Sequence, residues 1–259
     1  MTFIETYMWA FPVIMTLMTL LWIISVMIKN ASIVDPVWGL GFIIVSIYYL
    51  LMVKGFETRQ ILVVTLVGIW GLRLSAYLFW RNIGKGEDFR YKQFRKNYGE
   101  HRYWWVSFFQ VFLLQGVLLW LISAPVLGAI YYSTANSLNI IDLVAIIVWL
   151  IGFAFEAGGD YQLVKFKSRK ENKGKILTNG FWKYTRHPNY FGDAAVWWGF
   201  GLFAIASGAY PTILGSLLMT GLLVKVSGVA MLEKSMKNNK PGYEDYIQKT
   251  SAFLPRFPK

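Results

Sequence analysis

Long runs of apolar residues, separated by short polar segments, occupy most of the chain. Seven runs approach the roughly 20 apolar residues that a helix needs to cross a bilayer. Two uncharged stretches are too long for one helix each, so we divide the first at Pro125 and 133–136 and the second at 207–211. The pattern predicts an all-α polytopic membrane protein with about seven transmembrane helices. The predicted spans are 8–28, 37–53, 61–80, 106–127, 139–158, 190–207 and 211–231.

The composition agrees with a membrane protein. Hydrophobic residues make up 56% of the 259 residues and charged residues only 15%, whereas soluble domains carry about 25% charged residues. This balance excludes a disordered chain and disfavours a soluble enzyme. The absence of cysteine and the presence of only two histidines exclude thiolate zinc sites, cysteine nucleophiles and histidine-rich metal centres, so we expect no metal.

Positive charge is concentrated in three segments. Of the 26 Lys and Arg residues, 21 lie in 81–104, in 159–189 or after residue 231, and the net charge is +12. In an apolar chain such cations are typical of cytoplasmic loops that face anionic lipid, rather than of nucleic-acid binding. Two predicted helices lie between successive basic segments, so all three segments can lie on the cytoplasmic side. The C-terminus is then cytoplasmic, and the three predicted helices before the first basic segment place the N-terminus outside. We find no internal repeat and no soluble domain boundary, so residues 1–259 are predicted to form a single integral membrane domain.

Ionisable residues inside spans are costly and are therefore candidates for function. Arg73, Glu156 and Lys225 lie within predicted spans, and Asp160 and Asp193 lie at predicted cytoplasmic ends. One further acid, Asp142, lies at the start of a span, where a helix N-terminus tolerates an anion, and we expect it to be structural.

Two polar pairs flank the second basic loop, 161–189. Glu156 and Asp160 are four residues apart and share a helix face, as do Asn189 and Asp193. They could form buried salt bridges with Arg73 or Lys225, or they could line a polar pocket. We favour the pocket because the intervening loop is rich in hydrogen-bond donors.

Cations and aromatic residues alternate in the 161–189 loop, which suits a phosphate-bearing aromatic ligand. An anionic-lipid contact fits the same composition equally well. Two other segments have simple structural interpretations. Asp35-Pro36 could cap a helix, and the alternating charges of 87–91 could be a solvated turn.

A family resemblance is carried by the run 180–198, which reads GFWKYTRHPNYFGDAAVWW. This run resembles the C-terminal signature of the steroid 5α-reductase superfamily. Shorter patches resemble one bacterial-type branch of it, DUF1295, and together the patches extend over about residues 31–259. They are DPVWG at 35–39, WGLRL at 70–74, EDFRY at 87–91, and Glu233 followed by PGYEDY at 241–246 and TSAFLP at 250–255.

The resemblance implies a helical membrane enzyme that uses NADPH to reduce a carbon–carbon double bond conjugated to a carbonyl. Asp35 and Trp70 stand near the positions of residues that polarise the substrate carbonyl in the steroid reductases. Met231-Leu232 aligns with a pair of histidines in those enzymes. Lys167 lies where they use an arginine.

We therefore expect NADPH to enter from the cytoplasm and a lipid substrate, whether steroid, polyprenoid or fatty acyl, to lie in the bilayer. The expected phosphate contacts are Lys167, Arg169, Lys183 and Arg186. The nicotinamide is expected near Asp160, Asn189 and Asp193, and the cofactor set also includes Glu156, Arg73, His187 and Tyr190. The candidate proton donors are Tyr77, Tyr91 and Asp35.

An alternative comes from the isoprenylcysteine and phospholipid methyltransferases, which bind S-adenosylmethionine. They share the Arg-His-Pro-x-Tyr pattern and a late Glu before a Tyr-x-x-Tyr tail. A non-catalytic membrane interaction protein is a third hypothesis, and the polar pairs argue against it. A channel or transporter is disfavoured because no ladder of charges lines several spans.

Overall fold

The computed structural model of the chain describes residues 1–133, 138–226, 229, 233 and 242–258. The regular secondary structure of these residues is helical, apart from one isolated parallel bridge between Thr185 and Ser251. The prediction of an all-α fold is confirmed. The chain divides into two compact units, one of residues 1–138 with 207–212 and one of residues 139–206 with 213–259. The single membrane domain predicted over 1–259 stays a prediction.

The first unit is built largely from long apolar helices. A 3₁₀ turn at Ala31–Val34 precedes the second helix, and a π-helical segment at Phe108–Leu113 joins the fifth and sixth. The helices of this unit are α1 (Phe3–Met27), α2 (Val37–Val53), α3 (Thr58–Asn82), α4 (Phe89–Tyr98), α5 (Glu100–Ser107), α6 (Leu114–Ile122) and α7 (Ala124–Tyr131).

The second unit is organised around one long helix and the helix that packs against it. The connection between them contains two 3₁₀ turns, at Lys170–Asn172 and Gly180–Lys183. The 3₁₀ turn Tyr210–Ile213, of which residues 210–212 belong to the first unit, precedes α10 along the chain, and α10 continues as a π-helical segment, Leu222–Val226. The helices are α8 (Ile140–Lys167), α9 (Pro188–Ala206), α10 (Leu214–Gly221) and α11 (Tyr243–Lys249).

Four helical stretches in the described residues are long and apolar enough to cross a membrane. Val37–Val53 and Tyr210–Val226 are apolar but shorter. These helices support an integral membrane protein, while the count of about seven spans and the orientation of the termini stay predictions. The four long stretches are Phe3–Met27, Thr58–Asn82, Glu100–Tyr131 and Ile140–Lys167.

A helix boundary lies next to Pro125, as predicted, since α6 ends at Ile122 and α7 begins at Ala124 with Pro125 in its first turn, where its missing N–H costs no helical hydrogen bond. The apolar helical stretch nevertheless continues to Tyr131, beyond the predicted span end at residue 127. Helix α8 likewise extends beyond the predicted span 139–158, to Lys167. The break predicted at 207–211 is confirmed, since α9 ends at Ala206 and the next helical turn begins at Tyr210. Residues 134–136 of the other predicted break, and Met231-Leu232 and Pro241 of the resemblance, lie outside the described residues.

The N-terminus of α8 confirms the structural role predicted for Asp142. The backbone N–H of Asn139 donates to Asp142 Oδ2 at 2.8 Å, and the backbone N–H of Asp142 donates to Asn139 Oδ1 at 3.1 Å. This reciprocal pair is a capping box, which satisfies backbone donors that the helix leaves open.

Two glycines allow α8 and α9 to approach each other closely. A Cβ atom at Gly152 would lie 2.6 Å from the backbone N of Val196 and 2.7 Å from the backbone O of Gly192. A Cβ atom at Gly192 would in turn meet the backbone of Glu156. Small residues at such crossings let backbones pack directly, which is how helices associate in membranes.

We predict that Gly152→Ala destabilises the protein because its added methyl group meets backbone atoms that must move. Overpacking of this kind typically costs about 1–3 kcal/mol. Thermal unfolding in detergent should show a lower Tm than wild type. The matched control is Gly68→Ala in α3, where an added Cβ meets nothing within 4 Å and should leave the Tm unchanged or raised. Equal Tm values for Gly152→Ala and wild type would contradict the close packing.

Candidate functional site

The predicted polar pairs lie on the facing helices α8 and α9 of the second unit. Glu156 and Asp160 are buried, with 3% and 5% of their surface exposed. Asn189, in the first turn of α9, donates from Nδ2 to Asp160 Oδ1 at 3.1 Å. The structure thus brings Asp160 and Asn189 together, 29 residues apart in sequence. Asp193 lies one turn further along α9 and is half-buried.

The loop before α9 is docked against the same part of α8. The backbone N–H of Phe181 donates to Gln162 Oε1 at 2.9 Å, and Trp182 Nε1 donates to the carbonyl of Gly159 at 3.1 Å. The Phe181 ring also contacts Phe155, with 4.8 Å between ring centroids. These contacts hold the loop beside Asp160.

Three predicted phosphate contacts are exposed cations of this region. Lys167 ends α8, and Arg169 and Lys183 follow it in the loop. Because α8 extends to Lys167, this lysine lies in a final helical turn, where the helix dipole favours positive charge. Their exposure leaves these side chains accessible to an anionic ligand.

Arg186 has a different environment from the other predicted phosphate contacts. Its Nε and Nη2 donate to the two carboxylate oxygens of Glu233 at 2.8 and 3.0 Å. Its Nη1 donates to the carbonyls of Ile247 and Thr250. Only 7% of its surface is exposed. The buried Arg186 therefore joins the loop to the C-terminal segment through these hydrogen bonds.

Two more side chains, those of His187 and Tyr243, lie within hydrogen-bond distance of the Glu233 carboxylate. His187 Nε2 lies 3.0 Å from Glu233 Oε1, and the Tyr243 hydroxyl donates to the same oxygen at 3.1 Å. Burial alone would raise the pKa of Glu233, but hydrogen bonds from His187, Arg186 and Tyr243 outweigh it and lower the pKa to about 2. Burial and the charge of Glu233 raise the pKa of Tyr243 to about 12. The carboxylate is therefore held ionised at neutral pH.

His187 also contacts a predicted cofactor residue. Its ring stacks on Tyr190, with centroids 5.7 Å apart and planes 6° apart. The backbone of this segment is fixed as well, since the N–H of Arg186 donates to the carbonyl of Ser251 at 2.9 Å. Sequence analysis missed the roles of Glu233 and Tyr243, although both lie within the patches that carry the family resemblance.

A second polar cluster lies in the first unit, around Asp35. Arg90 Nη2 donates to Asp35 Oδ2 at 2.9 Å, and the Tyr91 hydroxyl donates to Asp35 Oδ1 at 2.7 Å. Burial raises the pKa of Asp35, although both donors oppose the change. Burial and the neighbouring Asp35 raise the pKa of Tyr91. Two of the predicted proton donors are thus hydrogen-bonded to each other.

The predicted helix cap at 35–36 is confirmed in position, since Pro36 is the N-cap residue of α2, but no side chain caps the helix there. The side chain of Asp35 binds Arg90 and Tyr91 instead. The interpretation of 87–91 as a solvated turn is wrong, because Glu87 pairs with Arg95 at 2.8 Å and accepts from the backbone of Ala31, while Tyr91 is 5% exposed. Arg90 pairs with Asp88 inside the segment as well as with Asp35, while Glu87 pairs with Arg95 outside it.

Tyr77, the third predicted proton donor, lies among arginines of α3. The guanidinium carbons of Arg73 and Arg81 are 5.4 and 5.6 Å from its ring centroid. These are cation–π distances. Arg73 belongs to the first unit, whereas the other predicted cofactor residues belong to the second.

Comparison with known proteins identifies a family and a distant relative. Residues 21–250 match the family described as "Protein of unknown function (DUF1295)". The chain is also 26% identical over 264 residues to the uncharacterized protein C594.04c of Schizosaccharomyces pombe (strain 972 / ATCC 24843), covering 91% of this chain and 76% of the relative. No solved structure matches the chain.

We predict that Glu233→Gln destabilises the protein in a pH-dependent manner. The pKa of Glu233 is lowered in the folded protein, so its stabilising contribution is complete above the ordinary value of 4.5 and is lost as the pH falls towards about 2. The Tm difference between wild type and Glu233→Gln should be largest at neutral pH and should narrow below pH 4.5. Glu244→Gln, at an exposed position of α11, is the control and should change Tm little. A difference that is constant with pH would contradict an ionised, paired Glu233.

Proposed function

We propose that this chain, which belongs to the DUF1295 family, is a membrane-embedded reductase that transfers hydride from NADPH to a conjugated carbon–carbon double bond of a lipid. The observation that carries the proposal is the hydrogen bond between the buried Asp160 and the half-buried Asn189, which lies beside a loop of exposed cations. A partly buried polar pair next to exposed positive charge suits a ligand with a neutral amide at one end and phosphates at the other.

The phosphates of NADPH are proposed to bind the exposed Lys167, Arg169 and Lys183. Segment 161–189 contains eight cations and one acid, Glu171. This charge favours a ligand with a pyrophosphate and a 2′-phosphate. S-adenosylmethionine has no phosphate and carries a positive sulfonium, which the same cations would repel.

The nicotinamide is proposed to bind at Asp160, Asn189 and Asp193. A carboxamide both donates and accepts hydrogen bonds, so carboxylates can accept from its NH₂ while the Asn189 amide donates to its carbonyl. The burial of Asp160 strengthens such contacts, because water competes less there. The protein contributes binding and orientation, and the hydride chemistry belongs to the cofactor.

Arg186 contributes indirectly in this proposal. Binding a phosphate would require its guanidinium to give up Glu233, whose charge would then be left partly buried without its main partner. We therefore assign Arg186, with Glu233 and His187, to holding the loop that carries Lys183. Tyr190 is held in turn by its stacking on His187.

Hydride addition to the β-carbon of an enone leaves an enolate that needs a proton. We propose Tyr91 as the donor in preference to Tyr77, because a buried phenol next to a carboxylate keeps its proton until a stronger acceptor arrives. The substrate is proposed to be a lipid because the long apolar helices have many apolar side chains exposed on their surface. Steroid, polyprenoid and fatty acyl substrates all fit that requirement.

One observation favours S-adenosylmethionine-dependent methyl transfer as the second candidate. Arg186 and Glu233 form an adjacent base and acid, which could pair with the carboxylate and ammonium of the methionyl part of that ligand. Their pairing with each other at 2.8 Å argues against it, since both would have to exchange partners on binding.

We predict saturable NADPH binding that weakens with added salt, because exposed phosphate contacts are screened. Isothermal titration calorimetry should show Asp160→Asn binding NADPH about tenfold more weakly or worse, a loss of at least about 1.4 kcal/mol. A variant with Gln at 167, 169 and 183 should bind weakly and show less salt dependence.

The matched control is Asp245→Asn, at an exposed position of α11, which should bind NADPH like wild type. Binding of S-adenosylmethionine without binding of NADPH would overturn the reductase proposal in favour of methyl transfer.

A further inference from the structure

The hydrogen-bond network around Asp35 extends beyond Tyr91 to two further residues, Gln115 and Trp38, which have no role in the proposed reaction. Gln115, in α6, donates from Nε2 to the Tyr91 hydroxyl oxygen at 3.2 Å. Trp38, in the first turn of α2, donates from Nε1 to Gln115 Oε1. Four side chains therefore form a chain that runs from Trp38 through Gln115 and Tyr91 to Asp35.

The donor and acceptor chemistry of this chain gives it a direction. An indole N–H can only donate, so the carbonyl oxygen of the Gln115 amide faces Trp38 and the NH₂ group faces Tyr91. Gln115 can then only donate to Tyr91. The hydroxyl hydrogen of Tyr91 is consequently directed to Asp35 Oδ1, 2.7 Å away.

Local helix geometry helps to place Gln115. The π-helical segment Phe108–Leu113 lies immediately before α6, and the backbone N–H of Leu114 donates to the carbonyl of Phe109, five residues earlier. An extra residue in a turn rotates the following positions by about 100°, so the bulge sets which face of α6 carries Gln115. Single π-bulges of this kind are frequent at functional sites.

We propose that Gln115 is a positioning residue that fixes the direction of the Tyr91–Asp35 hydrogen bond, and that Trp38 acts through it. All four residues of this chain of hydrogen bonds lie in the first unit. The role rests on the proposed function, in which Tyr91 is the candidate proton donor.

The electrostatic surroundings support this arrangement. Burial is the main reason that the pKa of Tyr91 is raised, and the hydrogen bond from Gln115 acts in the opposite direction because it stabilises the phenolate. Asp35 faces Tyr91 and Arg90, which favour its ionised form, with Asp88 raising and Arg81 lowering its pKa at longer range. Loss of the donor Tyr91 should therefore raise the pKa of Asp35 further.

The test measures the pKa of Asp35 by infrared spectroscopy of its protonated carboxyl, with the band assigned by its loss in Asp35→Asn. Gln115→Met has a similar size but no amide, so Tyr91 is free to turn and the pKa of Asp35 should rise. Trp38→Phe should give a smaller rise in the same direction. Because Trp38 acts through Gln115, the double variant should match Gln115→Met alone.

Gln110→Met, in the π-helical segment five residues before Gln115, is the control and should leave the pKa of Asp35 unchanged. An unchanged pKa in Gln115→Met, or additive effects of the two substitutions, would overturn the positioning role. If Gln115→Met does not fold, Trp38→Phe alone must still raise the pKa of Asp35.

The experiment uses neither NADPH nor a lipid, so it separates this inference from the proposed function. A protein that shows the expected pKa changes but does not bind NADPH would contradict the reductase and support the positioning role. A protein that binds NADPH but whose variants show no change in the pKa of Asp35 would contradict the positioning role and leave the reductase proposal supported.

Discussion

Burying an ionised side chain is costly unless the chain supplies partners for it, and both polar clusters are arranged around this constraint. In the first unit Asp35 is held by Arg90 and Tyr91, and in the second Glu233 is held by a bidentate Arg186. Each pairing joins segments that are distant in sequence, so the charges also fix loops against helices. Only 15% of the residues are charged, and several of them meet in these two clusters. The proposed function uses other cations, Lys167, Arg169 and Lys183, which are exposed.

The helices could be predicted because the requirement to span a membrane leaves a strong pattern in the sequence. Runs of apolar residues gave the position of each long helix, and Asp142 could be recognised as part of a helix start. The end of α8 could not be predicted in the same way. Hydropathy falls after residue 158, but the helix continues to Lys167, because the extension contains the good helix formers Gln162, Leu163 and Lys165. A polarity change marks the edge of an apolar run and not the end of a helix.

The candidate site could be predicted only where its residues are close in sequence or lie in a recognisable motif. The spacing of Asn189 and Asp193 placed them on one helix face, and in the structure Asn189 donates a hydrogen bond to Asp160. No local pattern shows that Asp35 meets Tyr91, 56 residues later, or that Gln115 joins them. Such contacts depend on how helices pack and, for Gln115, on a π-helical segment that has no hydropathy signature. These contacts arise only from the three-dimensional packing of the helices.

The assignment as a reductase is tested most directly by following the hydride itself. Purified protein would be given membrane lipid extract and NADPH that carries deuterium at carbon 4 of the nicotinamide, and the lipids would be examined by mass spectrometry. We expect a reduced lipid product that contains one deuterium from the cofactor, formed by wild type and not by Asp160→Asn. If no lipid gains deuterium and a labelled methyl group from S-adenosylmethionine enters a lipid instead, the reductase assignment is contradicted.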